Sequence, residues 1–176
     1  MTENILLTGR PGVGKTTVFE KTVGKLEEEG ITVGGVTSPE IREDGSRVGF
    51  EIRDLESGES RILAHKDREG ETEFGSYSVF RKNVAEISET AFPIAIEEAD
   101  VIAIDEIAPM EIISDIFVDY VLESLDSDKP VLGVVHLKTE TGIIGEIKKR
   151  PDTKVKEVTV ENRERLPSEV HRVFEM

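Results

Sequence analysis

Apolar residues along this chain follow two rhythms that take turns. Compact runs, apolar at most positions, occur at Asn4 to Thr8, Ile31 to Ser38, Val101 to Asp105 and Pro130 to Val135. They predict strands buried on both faces, as in a parallel sheet, with a last strand at Lys154 to Val160. Between them the apolar positions fall at helical spacing. Val18, Phe19, Val23 and Leu26 share one face of a helix at Lys15 to Glu29, which Gly30 ends. Further helices are expected at Asn83 to Ala99, with a break near Pro93, at Ile112 to Leu125 and at Arg163 to Phe174. Thr139 to Lys149 is a weaker helix, since Gly142 and Gly145 lower its propensity. The Gly34-Gly35 pair predicts a bend or a close backbone approach. Strands alternating with helices indicate an α/β fold with a mostly parallel sheet flanked by helices.

One stretch breaks this alternation. Glu40 to Arg42, Val48 to Leu55 and Ser60 to Ala64 alternate apolar with polar residues, separated by turns at Glu43-Asp44-Gly45 and Glu56-Ser57-Gly58-Glu59. That is an antiparallel meander with one wet face, inserted at about residues 40–65. Lys66 to Gly75, charged and glycine-bearing, reads as a loop. With no repeat or linker in sight, residues 1–176 are expected to form one domain.

Charge narrows the partners. The net charge is −15, which argues against nucleic acid or an anionic membrane, because both repel such a field. There is no cysteine, hence no disulfide, thiolate nucleophile or Cys-based metal site. No apolar run approaches the roughly 20 residues that span a bilayer, and Met1 leads almost at once into the first strand. A cytoplasmic location is the expectation.

The chemistry concentrates just after the first strand. Gly9-Arg10-Pro11-Gly12-Val13-Gly14-Lys15-Thr16-Thr17 reads G-x-x-x-x-G-K-T, a Walker A phosphate-binding loop between a strand and a helix. Its glycines let backbone N–H groups wrap phosphate, and the following helix adds the positive end of its dipole. Lys15 is expected to place a cation on the outer phosphates and Thr16 to ligate Mg²⁺. In so acidic a chain, these local groups must hold a polyanion against the net field.

A second half of the site is expected at Val101 to Glu106, four apolar residues followed by Asp-Glu, the form of a Walker B strand. Asp105 at the end of a buried strand would bind Mg²⁺ through water, and Glu106 would orient or deprotonate the attacking water. Glu111 is a further acid nearby, read as structural or as a support for those two.

These motifs, together with Ala108, Pro109, Met110 and the meander segment Thr37 to Phe50, resemble one group of proteins. It is the small nucleoside triphosphatases of archaea, thermophiles and vertebrates, whose human member is called cancer-related nucleoside triphosphatase. Val160-Glu161-Asn162-Arg163 resembles that family's last strand-to-helix junction, and the resemblance covers nearly the whole chain. Ala108 departs from the family's usual glycine, without removing a chemical group. The resemblance implies a P-loop fold with a RecA-like core. It also implies Mg²⁺-dependent hydrolysis of ATP, GTP, CTP and UTP. The residues agree on loose base selectivity, since no Asn-Lys-x-Asp guanine reader occurs.

Other candidates carry two readings each. His136, after the strand at Pro130 to Val135, is either a γ-phosphate sensor or a hydrogen-bonded strand-end histidine. Asn162 and Arg163 either touch the base, or Asn162 caps the last helix. Arg10, Arg42, Arg47, Arg53, Arg81 and Lys82 are candidates for an extra transition-state cation, with surface ion pairing the simpler role for most. The rival functions are a nucleotide or small-molecule kinase, for which the 66–75 loop would be a lid, and a nucleotide-gated binding module with little turnover.

Overall fold

The computed structural model describes residues 2–175. Its ten strands form one sheet in the order β10-β1-β9-β8-β2-β4-β5-β7-β6, with β3 paired to β4. The parallel heart comprises β1 (Asn4–Thr8), β2 (Val33–Thr37), β8 (Val101–Ile107), β9 (Val131–Val135) and β10 (Thr153–Glu157). Side chains alternate across these strands, and both faces of β1, β8 and β9 are covered, whereas the edge strand β10 is largely exposed. Ile5, Leu7, Val101, Ala103, Leu132 and Val134 meet α1 (Lys15–Glu28) and α5 (Leu166–Val173). Leu6, Ile102, Ile104, Val131 and Val135 face α2 (Arg81–Glu98), α3 (Asp115–Asp126) and α4 (Gly142–Lys148). Coverage on two sides is why β1, β8 and β9 are apolar at successive positions.

The antiparallel strands are not a separate appendage. β4 (Ser46–Asp54) pairs with the end of β2, and β3 (Glu40–Glu43), β5 (Ser60–His65), β6 (Thr72–Phe74) and β7 (Tyr77–Val79) continue the same sheet. The expected 66–75 loop is therefore corrected. Its second half is a strand of a hairpin that turns at Gly75, which takes a left-handed φ of 60°. Three-residue strands flanked by charge lie below what a periodicity reading resolves.

A second correction concerns Pro93. Helix α2 passes through it without ending. Proline removes the bond to the Glu89 carbonyl, but Pro93 and Glu89 both face solvent, where water takes the free acceptor. On the opposite face Ala91, Phe92 and Ala95 are buried, and Phe92 stacks on Tyr120 of α3 at 5.7 Å between ring centroids. Packing outweighs the lost hydrogen bond. A third difference is that the helix expected at Ile112 splits. A 3₁₀ turn at Glu111–Ile113 precedes α3, whose N-cap Ser114 accepts a hydrogen bond from the Phe117 amide.

The close approach expected at Gly34-Gly35 is present. A Cβ on Gly35 would lie 1.9 Å from the Ala103 carbonyl oxygen, and its φ of 137° suits glycine alone. One on Gly34 would press the Ala95 methyl at 3.0 Å. Gly35→Ala is therefore expected to destabilise the fold by about 2 kcal/mol or more, read from the midpoint of urea unfolding.

Candidate active site

The parallel strands deliver their C-terminal ends to one edge of the sheet, and the chemistry collects there. After β1 the chain turns through Gly9 to Gly14. Gly12 and Gly14 hold φ of 77° and 108°, and a Cβ at Gly9 would strike the Val158 carbonyl and the Val13 side chain, each at 2.9 Å. These positions require glycine. Gly14 is the N-cap of α1, with no side-chain cap and no acid in the first turn. The first amides of α1 are thus left for an anion.

Two strands away, β8 ends in the acids. The Thr16 hydroxyl donates to Asp105 Oδ2 at 3.0 Å, joining the helix after the loop to the end of β8. The β8–β9 ladder pairs Asp105 with Val134 and Ile107 with Val135, so Glu106 is skipped by the register. Its carboxylate turns to the loop, 3.9 Å from Lys15 Nζ. Lys15, Thr16, Asp105, Glu106, Glu111 and His136 line one cavity of about 450 Å³. Lys15 and His136 also border a second cavity of about 740 Å³ with Arg10, Pro11, Leu137 and Lys138.

Charge is under strain in this place. Burial pushes the Asp105 carboxyl up to about 7, against the Thr16 hydrogen bond, and the charges of Glu106 and Glu20 push the same way. Glu111, wholly buried at the start of the 3₁₀ turn, is raised well above the carboxylate range by burial first and by Glu106 next. Its Oε2 has no hydrogen-bond partner. A hydroxyl and buried carboxyls form an all-oxygen donor set, the kind a hard divalent cation takes.

Of the remaining candidates, His136 is bound at its strand end. Its Nδ1 lies 2.8 Å from Thr139 Oγ1 and its amide donates to Ile107 O at 3.1 Å, while the ring still borders both cavities. Arg163 Nη1 donates to Val13 O at 3.3 Å, so it braces the phosphate loop from outside either cavity. Asn162 corrects its expected capping role. Its Oδ1 accepts from Thr159 N and its Nδ2 donates to Glu157 O, both at 2.8 Å, which closes a turn well before α5. The N-cap of α5 is Arg165. Arg42 and Arg53 pair with Glu40 and Glu51, each at 2.9 Å, and Arg47 reaches Glu40 at 3.4 Å. Neither they nor Arg81 or Lys82 line the cavities. Ser38, Phe50, Phe74 and Met110 do; Ser38, Phe50 and Met110 lie in the segments that carry the family resemblance, whereas nothing in its sequence context marked Phe74.

The NTPase family model matches residues 4–171 of the chain. Nucleoside-triphosphatase THEP1 of Thermofilum pendens is 43% identical over 171 residues, covering 97% of this chain and 94% of that protein. The protein of the same name from Methanopyrus kandleri is 42% identical with the same coverage. Among solved structures, THEP1 from the hyperthermophile Aquifex aeolicus superimposes with a TM-score of 0.84 at 30% identity, covering 99% of this chain and all of that one. A human cancer-related nucleoside triphosphatase superimposes with a TM-score of 0.78 at 32% identity, over 96% and 95% of the two chains.

The buried acids carry a pH signature. Unfolded carboxyls ionise above about 4, whereas folded Asp105 holds its proton up to about 7 and Glu111 also releases late. Raised folded values mean that stability is fully present below pH 4 and is lost as pH rises through the folded range. In metal-free protein, Asp105→Asn is therefore expected to raise the melting temperature at pH 8, by up to about 4 kcal/mol of stability, and to have no such effect at pH 4.

Proposed function

The chain belongs to this family of nucleoside triphosphatases, and from that premise we propose a Mg²⁺-dependent enzyme, one P-loop domain, that hydrolyses ATP, GTP, CTP and UTP to the diphosphate and phosphate. The observation that carries the reading is the junction of the loop with the acids, Thr16 to Asp105 at 3.0 Å and Lys15 to Glu106 at 3.9 Å. In this reading the amides of Gly12 to Thr16 and the Lys15 ammonium hold the β- and γ-phosphates. Thr16 and Asp105 would hold Mg²⁺, which would supply positive charge against the phosphates. Glu106, half-exposed on the cavity, takes the proton of a water aligned with the γ-phosphorus. Attack forms the new P–O bond as the bond to the β-phosphate oxygen breaks. Positioning and electrostatic stabilisation supply most of the acceleration.

Loose base selectivity is supported by the missing guanine motif and by the sparse, basic lining of the second cavity, Arg10, His136 and Lys138 among it. A second reading, phosphoryl transfer to an organic acceptor, has one observation in its favour. Phe50, Phe74 and Met110 give the cavity that holds Glu106 an apolar lining against which an organic acceptor would pack. A binding module with little turnover is the poorer fit, since it has no use for an acid turned out of the β8 ladder toward Lys15.

Phosphate release from the four triphosphates with Mg²⁺, and no acceptor added, tests these readings together. Lys15→Ala is expected to lose binding and turnover. Glu106→Gln is expected to bind nucleotide as the wild type does and to release phosphate at least about tenfold more slowly. Wild-type turnover in Glu106→Gln would remove its proposed role, and release that begins only on adding a nucleoside would favour transfer over hydrolysis.

A further inference from the structure

Away from the cavities, α1 and α5 pack side by side on one face of the sheet. Their C-terminal ends converge. Helix α1 ends in Glu27-Glu28-Glu29, and the chain runs on from α5 into Glu175. Carboxylates there lie at the negative ends of two helix dipoles, in a chain of net charge −15. Such a spot favours a cation.

His171, in the last turn of α5, stands between the two acids and is 8% exposed. Its Nε2 is 3.1 Å from a Glu29 carboxylate oxygen, while a Glu175 oxygen lies 3.5 Å from the other ring nitrogen, Nδ1, so only one of these two contacts runs through the nitrogen that would ligate an ion. The first contact is short yet outside hydrogen-bond geometry, so Nε2 is buried without a partner. One ligand atom from each of Glu29, His171 and Glu175 lies within 4.8 Å of the other two. Ligands of a single tetrahedral ion stand about 3.3 Å apart, each aimed at the ion rather than at its neighbour. The close but misaligned approach of Glu29 to Nε2 has that form.

We propose that Glu29, His171 and Glu175 bind a zinc-type divalent transition ion that ties the C-terminal helix to the far end of the phosphate-loop helix. An imidazole donor favours a transition ion over Mg²⁺ or Ca²⁺, which prefer oxygen. With three protein ligands, water completes the coordination. The fourteen residues of α1 put about 20 Å between this site and Thr16, so the ion serves structure and not phosphate chemistry.

The 176-residue chain, stripped with EDTA, would be titrated with Zn²⁺ by calorimetry and with Co²⁺ by visible absorption. Wild type, His171→Gln, Glu29→Gln and, to set aside binding at the nucleotide site, Asp105→Asn would be compared. One equivalent is expected to bind wild type and Asp105→Asn, with ligand-field bands from Co²⁺ and a melting temperature raised by several degrees. His171→Gln and Glu29→Gln are expected to bind at least about tenfold more weakly while keeping phosphate release. Glu29 is solvent-exposed, so Glu29→Gln carries the test if His171→Gln fails to fold. Equal binding by wild type and Glu29→Gln, or no binding by wild type, overturns the proposal.

Discussion

The hydrogen bond from Thr16 to Asp105 joins residues 89 apart in the chain, and the arrangement of the sheet exists to make it possible. One partner opens the helix after β1 and the other closes β8, with β9 between them. Parallel strands bring their C-terminal ends to the same edge of a sheet, with a crossover needed between them. The cost is that Asp105 enters a nearly dry place with two further acids about it, a place that burial of apolar strands on both faces creates. Lys15 and Thr16 offset part of that cost.

Much of this was legible because the backbone itself demands particular residues. A phosphate loop needs glycine where φ is positive, and Gly12 and Gly14 are spaced accordingly. Strands covered on two sides must be apolar at successive positions, so β1, β8 and β9 announced themselves, and the acids closing β8 stood out against that run. What was hidden depended on residues far apart in sequence. Phe74 reaches the cavity only because β6 and β7 pair beside β5, and no local period shows that. The burial of Glu111 is set by the packing around a 3₁₀ turn, not by its neighbours in the chain. Pro93 misled for a related reason. Its penalty is local, while the packing of Phe92 against Tyr120 is tertiary and larger.

Acidity, which seemed at odds with holding a polyanion, is organised rather than uniform. Arg42, Arg47 and Arg53 meet acids on the meander, while Lys15, Arg10 and Lys138 are kept at the loop edge. The carboxylates beside the loop belong to a metal site in the proposed mechanism, and those at the opposite end of α1 to another. Negative charge thus marks the places where cations are wanted.

The uncapped first turn of α1 has a consequence for what counts as the complete protein. No side chain satisfies its leading amides, so a phosphate in the loop would do for this helix what a serine does for α3. Nucleotide is then part of the architecture as well as the substrate. At a hundredfold excess over its dissociation constant, such a ligand adds about 2.7 kcal/mol to the folded state. Stability would follow the supply of nucleotide around the protein, and each round of hydrolysis and release would briefly hand back a helix with one end undone.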